Sequence, residues 1–176
     1  MGLLEIAMDF LAELREKFSK VVLEVLEKDA LTLVCKREGS LELLSYLKEK
    51  GFKHLIDLCG VDYQGYKSEK KPERFEVVYH LYNLDEKKLI RVKVPIPEND
   101  AWQYSVTGLW KTANWFEREC YDMFGIFFKG HPDLRRLLMP EDWEGHPLRK
   151  DYPLFLTEEN EWKGYKEFLA SVRGAK

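Results

Sequence analysis

Glu117, Arg118 and Glu119 open the part of this chain where residue types able to do chemistry are densest. Two carboxylates can divide the work of general acid and general base if both reach one substrate. The spacing argues against it here. Residues two apart on a helix point to different faces, so Glu117 and Glu119 cannot share a bound molecule. Arg118 and Asp122, four apart, share a face and are positioned to pair. An exposed pair of that kind contributes only about 0.3–0.5 kcal/mol, and an ordinary solvated helix face is the plain reading. The aromatic neighbours Trp115, Phe116, Tyr121 and Phe124 turn it toward a packed, partner-facing surface.

Two histidines, His131 and His146, are the other candidates for proton transfer or metal binding. Metal sites need several ligands converging, and the sequence contains neither CxxC nor HxxxH. Each of the two precedes a proline in an extended stretch, which suits a positional hydrogen-bonding role. His54 and His80 fall in apolar strand-like runs and read as structural.

The strongest binding signal is Arg135-Arg136, followed by Arg149-Lys150-Asp151. A guanidinium presents a fixed fork of donors suited to carboxylates or backbone carbonyls at an interface. A phosphate or nucleic-acid site is the competing reading, but Asp133, Glu141, Asp142 and Glu144 are interleaved with the bases. Burying all these charges within one chain would require each to be satisfied, so the stretch from Glu117 to Pro153 points to a protein partner. Trp143 and its aromatic neighbours would anchor such a contact.

These residues need elements to position them. Leu3, Leu4, Ala7, Phe10, Leu11 and Leu14 recur at helical spacing, which predicts an amphipathic helix over 3–17. Two β-branched runs, 19–27 and 30–36, flank Lys28-Asp29 and predict a tight hairpin. Ser40 offers an N-cap for a second helix carrying Leu41, Leu43, Leu44 and Leu47, with Gly51 at its stop. Strands are expected over 54–61, 75–84 and 89–96, the last two turning at Asp85-Glu86. The polar stretch 62–74 between them reads as a mobile loop. Beyond Pro97, a helix is expected over 113–123, stopped by Gly125. The X-Pro pairs at 132, 140, 147 and 153 then break up longer elements. An extended arm over 126–156, with a helical turn near 133–138, and a short helix over 158–171 complete the expectation. The fold class is α+β: a two-layer sandwich with a mixed sheet of about five strands, helices on one face. Residues 1–97 would form the α+β domain, and 98–176 a docking helix and arm.

Composition narrows the function classes. At 176 residues and 45% hydrophobic, the chain suffices for a real core. A net charge of −3 with mixed signs gives no reason to expect nucleic acid or an anionic membrane as ligand. Cys35, Cys59 and Cys120 are few, separated and odd in number, which suits a reducing compartment. No apolar run is long enough to span a bilayer, and Glu5 and Asp9 do not suit a secretory signal. Glutamine is confined to Gln64 and Gln103 among many Glu and Lys, a bias shared with heat-adapted proteins.

Read as one string, ERECYDMFGI, GHPDLRRLL and DWEGHPLRKDYP resemble the thirty-kilodalton subunit family of respiratory complex I. That family includes the equivalent subunit of membrane-bound NiFe hydrogenases and related ion-pumping complexes. The resemblance covers essentially the whole chain. It implies a non-catalytic, cofactor-free structural subunit of the peripheral electron-transfer arm, on the cytoplasmic side of the membrane. Its partners would be the large NiFe-type or quinone-site subunit and the iron–sulfur small subunit. The partner-facing residues would be Glu117, Arg118, Glu119, Asp122, His131, Arg135, Arg136, Trp143, Arg149, Lys150 and Asp151. No catalytic, cofactor-binding or metal-binding residue is expected. The short C-terminal end leans toward a hydrogenase-like or sulfur-reducing archaeal complex, with an NADH:quinone or F420-linked oxidoreductase as the alternative. Two readings of other classes remain: a stand-alone enzyme using His131 and a nearby carboxylate, and an RNA-binding module using the basic arm.

Overall fold

A computed structural model describes residues 3–27, 30–68, 71–155, 162 and 164–174. Its centre is a five-stranded mixed sheet built from β1 (Val22–Glu27), β2 (Leu31–Cys35), β3 (His54–Asp62), β4 (Phe75–Asn83) and β5 (Lys88–Ile96). The spatial order is β1-β2-β5-β4-β3, with β2 and β5 parallel and the other neighbours antiparallel. The α+β sandwich expected from the sequence is therefore the fold.

Period-two alternation explains the sheet's two sides. Ile90, Val92, Val94 and Ile96 of β5 are buried, as are Val77, Tyr79 and Leu81 of β4. They meet Leu14 of helix α1 (Leu3–Lys17) and Leu43, Leu44 and Leu47 of helix α2 (Arg37–Glu49) in one continuous core. The opposite side carries a polar row across three strands. Arg91 Nε donates to His80 Nε2 at 2.9 Å, and His80 Nδ1 lies 3.4 Å from Asp57 Oδ2. Pro95 is tolerated inside β5 because the pairing with β2 ends at Lys93.

The departures from expectation have local causes. Helix α2 begins at Arg37, with Lys36 as N-cap, rather than at Ser40. Ser40 Oγ instead donates back to Arg37 O at 2.8 Å, inside the helix. The 85–86 turn is built on Asn83, whose Oδ1 accepts from the backbone N–H groups of Asp85 and Glu86. The expected 28–29 turn lies outside the described residues, although β1 and β2 pair antiparallel as it requires. The last helix, α4, runs Tyr165–Gly174 rather than 158–171, and residues 156–161 and 163 lie outside the described residues.

Beyond the sheet, helix α3 (Ala113–Phe124) packs on β3, where Gly60 removes the obstacle. A Cβ at Gly60 would lie 2.7 Å from the Phe124 ring and 3.0 Å from Cys120 Sγ. Two three-residue strands, β6 (Trp102–Tyr104) and β7 (Phe127–Lys129), pair in parallel on either side of α3 in sequence. Nothing in the sequence pattern signalled them, because three residues are too few to show a period. No helix among the described residues is long and apolar enough to cross a membrane.

Candidate docking site

The segment from Gly130 to Phe155 contains no helix or strand. Its position is fixed by polar groups of α3 and of the sheet. Helix α3 buries Ala113, Glu117, Cys120 and Met123 along one stripe and stops at Gly125, whose φ of 72° is left-handed. A Cβ at Gly125 would also come 2.5 Å from His146 Nε2 and 2.6 Å from Arg149 Nη2, so position 125 admits little but glycine.

A helix end leaves carbonyls without partners, and here the segment supplies them. His146 Nδ1 meets Asp122 O at 2.9 Å, Leu148 N–H donates to Met123 O at 3.1 Å, and Arg149 Nε donates to Phe124 O at 2.7 Å. Since a carbonyl only accepts, His146 carries its proton on Nδ1. Burial pushes the His146 pKa below that of an ordinary histidine, with the charges of Arg149 and Arg136 acting in the same direction.

Asp122 is the centre of the arrangement. Its side chain is fully buried. Oδ2 accepts three successive backbone N–H groups, from Leu137 at 3.0 Å, Leu138 at 2.7 Å and Met139 at 2.9 Å. Oδ1 accepts from Arg136 Nη1 at 2.7 Å. Burial alone would raise the carboxyl's pKa, but the Met139 N–H, Arg136 and the other two amides outweigh it and hold the pKa below the usual carboxylate value. Arg136 also spends its second nitrogen on Trp143 O at 2.8 Å and Gly145 O at 3.0 Å. This corrects two expectations. The turn near 133–138 is not helical, because the 137–139 amides point at a carboxylate instead of back along the chain. Arg118 does not pair with Asp122; it donates to Arg135 O at 3.1 Å and Arg136 O at 3.0 Å.

A second anchor joins the segment to the sheet. Asp62, at the end of β3, accepts from Arg74 Nε at 3.1 Å and Nη2 at 2.9 Å. It also accepts from Lys150 N–H at 2.9 Å and Gln64 N–H at 2.9 Å. Arg74 Nη2 lies 2.8 Å from Asp151 Oδ1, and Arg74 pairs with Glu98 as well. Burial opposes ionisation of Asp62, yet Arg74 and the Lys150 N–H hold its pKa below the usual value. The ends of the 62–74 loop, which the sequence suggested was mobile, are thus pinned.

This geometry gives the likeness to known proteins a physical content. Residues 33–158 match the family described as "Respiratory-chain NADH dehydrogenase, 30 Kd subunit". The chain belongs to this family. It is 46% identical over 154 residues to an NADH-quinone oxidoreductase subunit of Geotalea uraniireducens, covering 86% of this chain and 91% of that one. It is 46% identical over 153 residues to NADH-quinone oxidoreductase subunit 5 of Thermus thermophilus, covering 82% of this chain and 73% of that one. Among solved structures, a trypsin-resistant fragment (1-134) of Nqo5 superposes with a TM-score of 0.64 at 40% identity, covering 73% of this chain and 98% of the fragment. A chain of an archaeal membrane-bound sulfane sulfur reductase gives 0.69 at 22% identity, over 89% of this chain and 98% of that one, a likeness of fold alone.

The string that carries the resemblance to the 30 kDa subunit family divides by burial. Glu117 and Asp122 are fully buried, and Arg118, Arg136, His146 and Arg149 spend donors on backbone carbonyls within the chain. His131 is likewise used internally: its Nδ1 accepts from Asp133 N–H at 3.0 Å, so Nε2–H donates to Asn114 O at 3.1 Å. Trp143 is half-buried and meets Trp162 at a tilt, centroids 6.5 Å apart and ring planes 40° to each other. Glu119, Arg135, Lys150 and Asp151 are the exposed members. Around them the surface shows large apolar side chains. Leu154 is 94% and Phe155 82% exposed, and Leu138, Leu148, Phe127 and Trp115 are each at least half exposed. Sequence reasoning missed Asp62 and Arg74 because they sit outside the string. It missed the apolar rim because single leucines between charges carry no periodic signal.

Proposed function

We propose that this chain is a non-catalytic structural subunit of the peripheral electron-transfer arm of a complex I-like, ion-translocating membrane assembly. The observation that carries the reading is the preorganised segment 126–155. Arg136, His146 and Arg149 are turned inward to hold its shape, and Leu138, Leu148, Leu154 and Phe155 are at least half exposed, with the exposed Arg135 and Lys150 in the same segment. Large exposed apolar side chains on a rigid, polar-rimmed surface suit burial against a protein. Rigidity limits the ordering cost of docking. The partner is the large subunit, with the iron–sulfur small subunit adjoining it, on the cytoplasmic side of the membrane. The chain itself holds no redox centre and serves to keep its partners at electron-transfer distance.

Of the candidate assemblies, the quinone-reducing type is favoured. The NADH-quinone oxidoreductase relatives from Geotalea, Citrifermentans and Geobacter align over 91% to 93% of their length at 42% to 46% identity. A short C-terminal end therefore does not separate this chain from quinone-linked relatives. The sulfur-reducing neighbour supports the fold only.

The test is a mild-detergent purification from native membranes through a tag on this subunit, for the unaltered chain and for a Leu154→Asp/Phe155→Asp variant. The unaltered chain should bring down a large subunit lacking paired CxxC motifs, and the variant should lose it while remaining folded. Paired CxxC motifs in that subunit would indicate the hydrogenase type. Retention of the partner by the variant at full yield would sink the docking surface.

A further inference from the structure

Glu117 is a fully buried acid of the string whose hydrogen bond goes to the 103–106 stretch rather than to the docking segment. Its carboxyl lies where α3 meets the 103–106 stretch. Oε1 accepts the Val106 N–H at 2.7 Å, and Oε2 has no hydrogen-bond partner. We propose that Glu117 is a proton-binding site: the folded chain holds the acid form, and loss of the proton weakens the seam that fastens α3 to the sheet.

The surroundings make the case. Tyr79 of β4 and Cys120 of α3 are close enough for the Glu117 charge to act on them, and the Ser105 hydroxyl is near enough to favour the ionised carboxyl. Cys35 of β2 also acts on Tyr79, and Cys59 and Glu119 act on Cys120. None of these groups is a cation. Burial raises the Tyr79 phenol and the Cys120 thiol well above their ordinary pKa values, so both stay neutral. The β6 side chain at the seam, Gln103, is neutral too. Its Oε1 accepts from Tyr104 N–H at 2.8 Å and from Ser40 Oγ at 3.3 Å. An ionised Glu117 would be a buried charge with no cation beside it, which proteins avoid by protonation.

The polar neighbours do not take the place of a cation. Tyr79 Oη and Gln103 Nε2 are buried next to one another and make no hydrogen bond to Glu117. A proton on Oε2 removes the buried charge, while Oε1 keeps the Val106 amide. Burial lifts the Glu117 carboxyl from an ordinary value of 4.5 to about 7, against the smaller opposing effects of the Val106 N–H and the Ser105 hydroxyl. The folded state therefore binds a proton that the unfolded state has released. The resulting stability penalty is absent below the unfolded pKa, grows as pH rises, and levels off above the folded pKa.

The experiment compares the full chain with its Glu117→Gln variant by equilibrium denaturation across pH. Glutamine keeps the Oε1 acceptor and supplies a permanent donor. Between about pH 5 and pH 8 the folding equilibrium constant of the unaltered chain should fall roughly 10- to 100-fold relative to that of the variant. The variant should be the more stable of the two at the upper end. Parallel profiles would overturn the proposal. If the variant does not fold, infrared spectroscopy of the unaltered chain decides it. A protonated-carboxyl band that persists to neutral pH and vanishes above it is expected, and its absence at neutral pH would refute the assignment.

Discussion

The sheet with its two packed helices and the segment from Gly130 to Phe155 are held together by opposite means. In the sheet, buried leucines, valines and isoleucines at period two and at helical spacing supply the cohesion, and backbone groups satisfy one another in ladders. The segment forms no ladder. Its amides and guanidinium groups are matched one by one to carboxylates and helix-end carbonyls, above all at Asp122 and Asp62. Hydrophobic burial tolerates substitution of one apolar side chain by another, whereas a convergent hydrogen-bond hub depends on a single residue type. The same strategy frees the segment's apolar side chains to face outward, which a core-forming element could not do.

The contrast is broken most forcefully at Asp122. Asp122→Ala removes the acceptor for three amides and leaves the Arg136 guanidinium without its buried partner, a loss of about 3–5 kcal/mol. Hydrogen exchange should show the Leu137, Leu138 and Met139 amides losing protection while β4 and β5 keep theirs. A core truncation such as Leu81→Ala, costing about 2–5 kcal/mol, should instead lower protection in sheet and segment together. Uniform loss in both variants would mean that the two regions form one cooperative unit.

The two regions also differed in how much could be read from the sequence. Strands β4 and β5 and the helix ending at Gly125 were legible because apolar period and glycine position state them directly. The mixed sheet followed from element order. For the segment, the residue types were legible but their destinations were not. Arg118 and Asp122 share a helix face, yet each found a stronger partner in chain brought back from more than a dozen residues away. No periodicity encodes such a return. Asp62 and Arg74 were unreadable for the same reason: a polar loop end gains meaning only once Lys150 and Asp151 are folded against it.

Acid should sharpen the comparison. Asp122 and Asp62 both have folded-state pKa values below their ordinary ones, so they bind protons more weakly folded than unfolded. Their contribution is complete above the unfolded pKa and disappears as pH falls through the folded values. Lowering the pH from about 5 toward 2 should therefore release the segment before the sheet melts. Limited proteolysis by an acid-active protease would report it, with first cuts expected within 131–150. First cuts in β4 or β5 would contradict the division. Glu117 has the reverse sign, so the seam under α3 should be firmest in mild acid, where the segment is still intact.

The smallest effect is the most discriminating, and it separates two adjacent arginines. Arg136 is mostly buried and holds Asp122, Trp143 O and Gly145 O, whereas the Arg135 side chain is 62% exposed and pairs with Asp133 two residues away. Arg136→Ala should cost the isolated chain roughly 2–4 kcal/mol, since it strands a buried carboxylate and two carbonyls. Arg135→Ala should change stability by no more than about 0.5 kcal/mol. If the surface around Leu138 meets a protein, Arg135→Ala should still reduce co-purification of the large subunit, because a guanidinium at an interface rim contributes only once the partner is present. Equal destabilisation by the two alanines would erase the distinction between residues that shape the segment and residues it presents. A stable Arg135→Ala chain with undiminished partner yield would move the contact away from this end of the surface and toward Leu154 and Phe155.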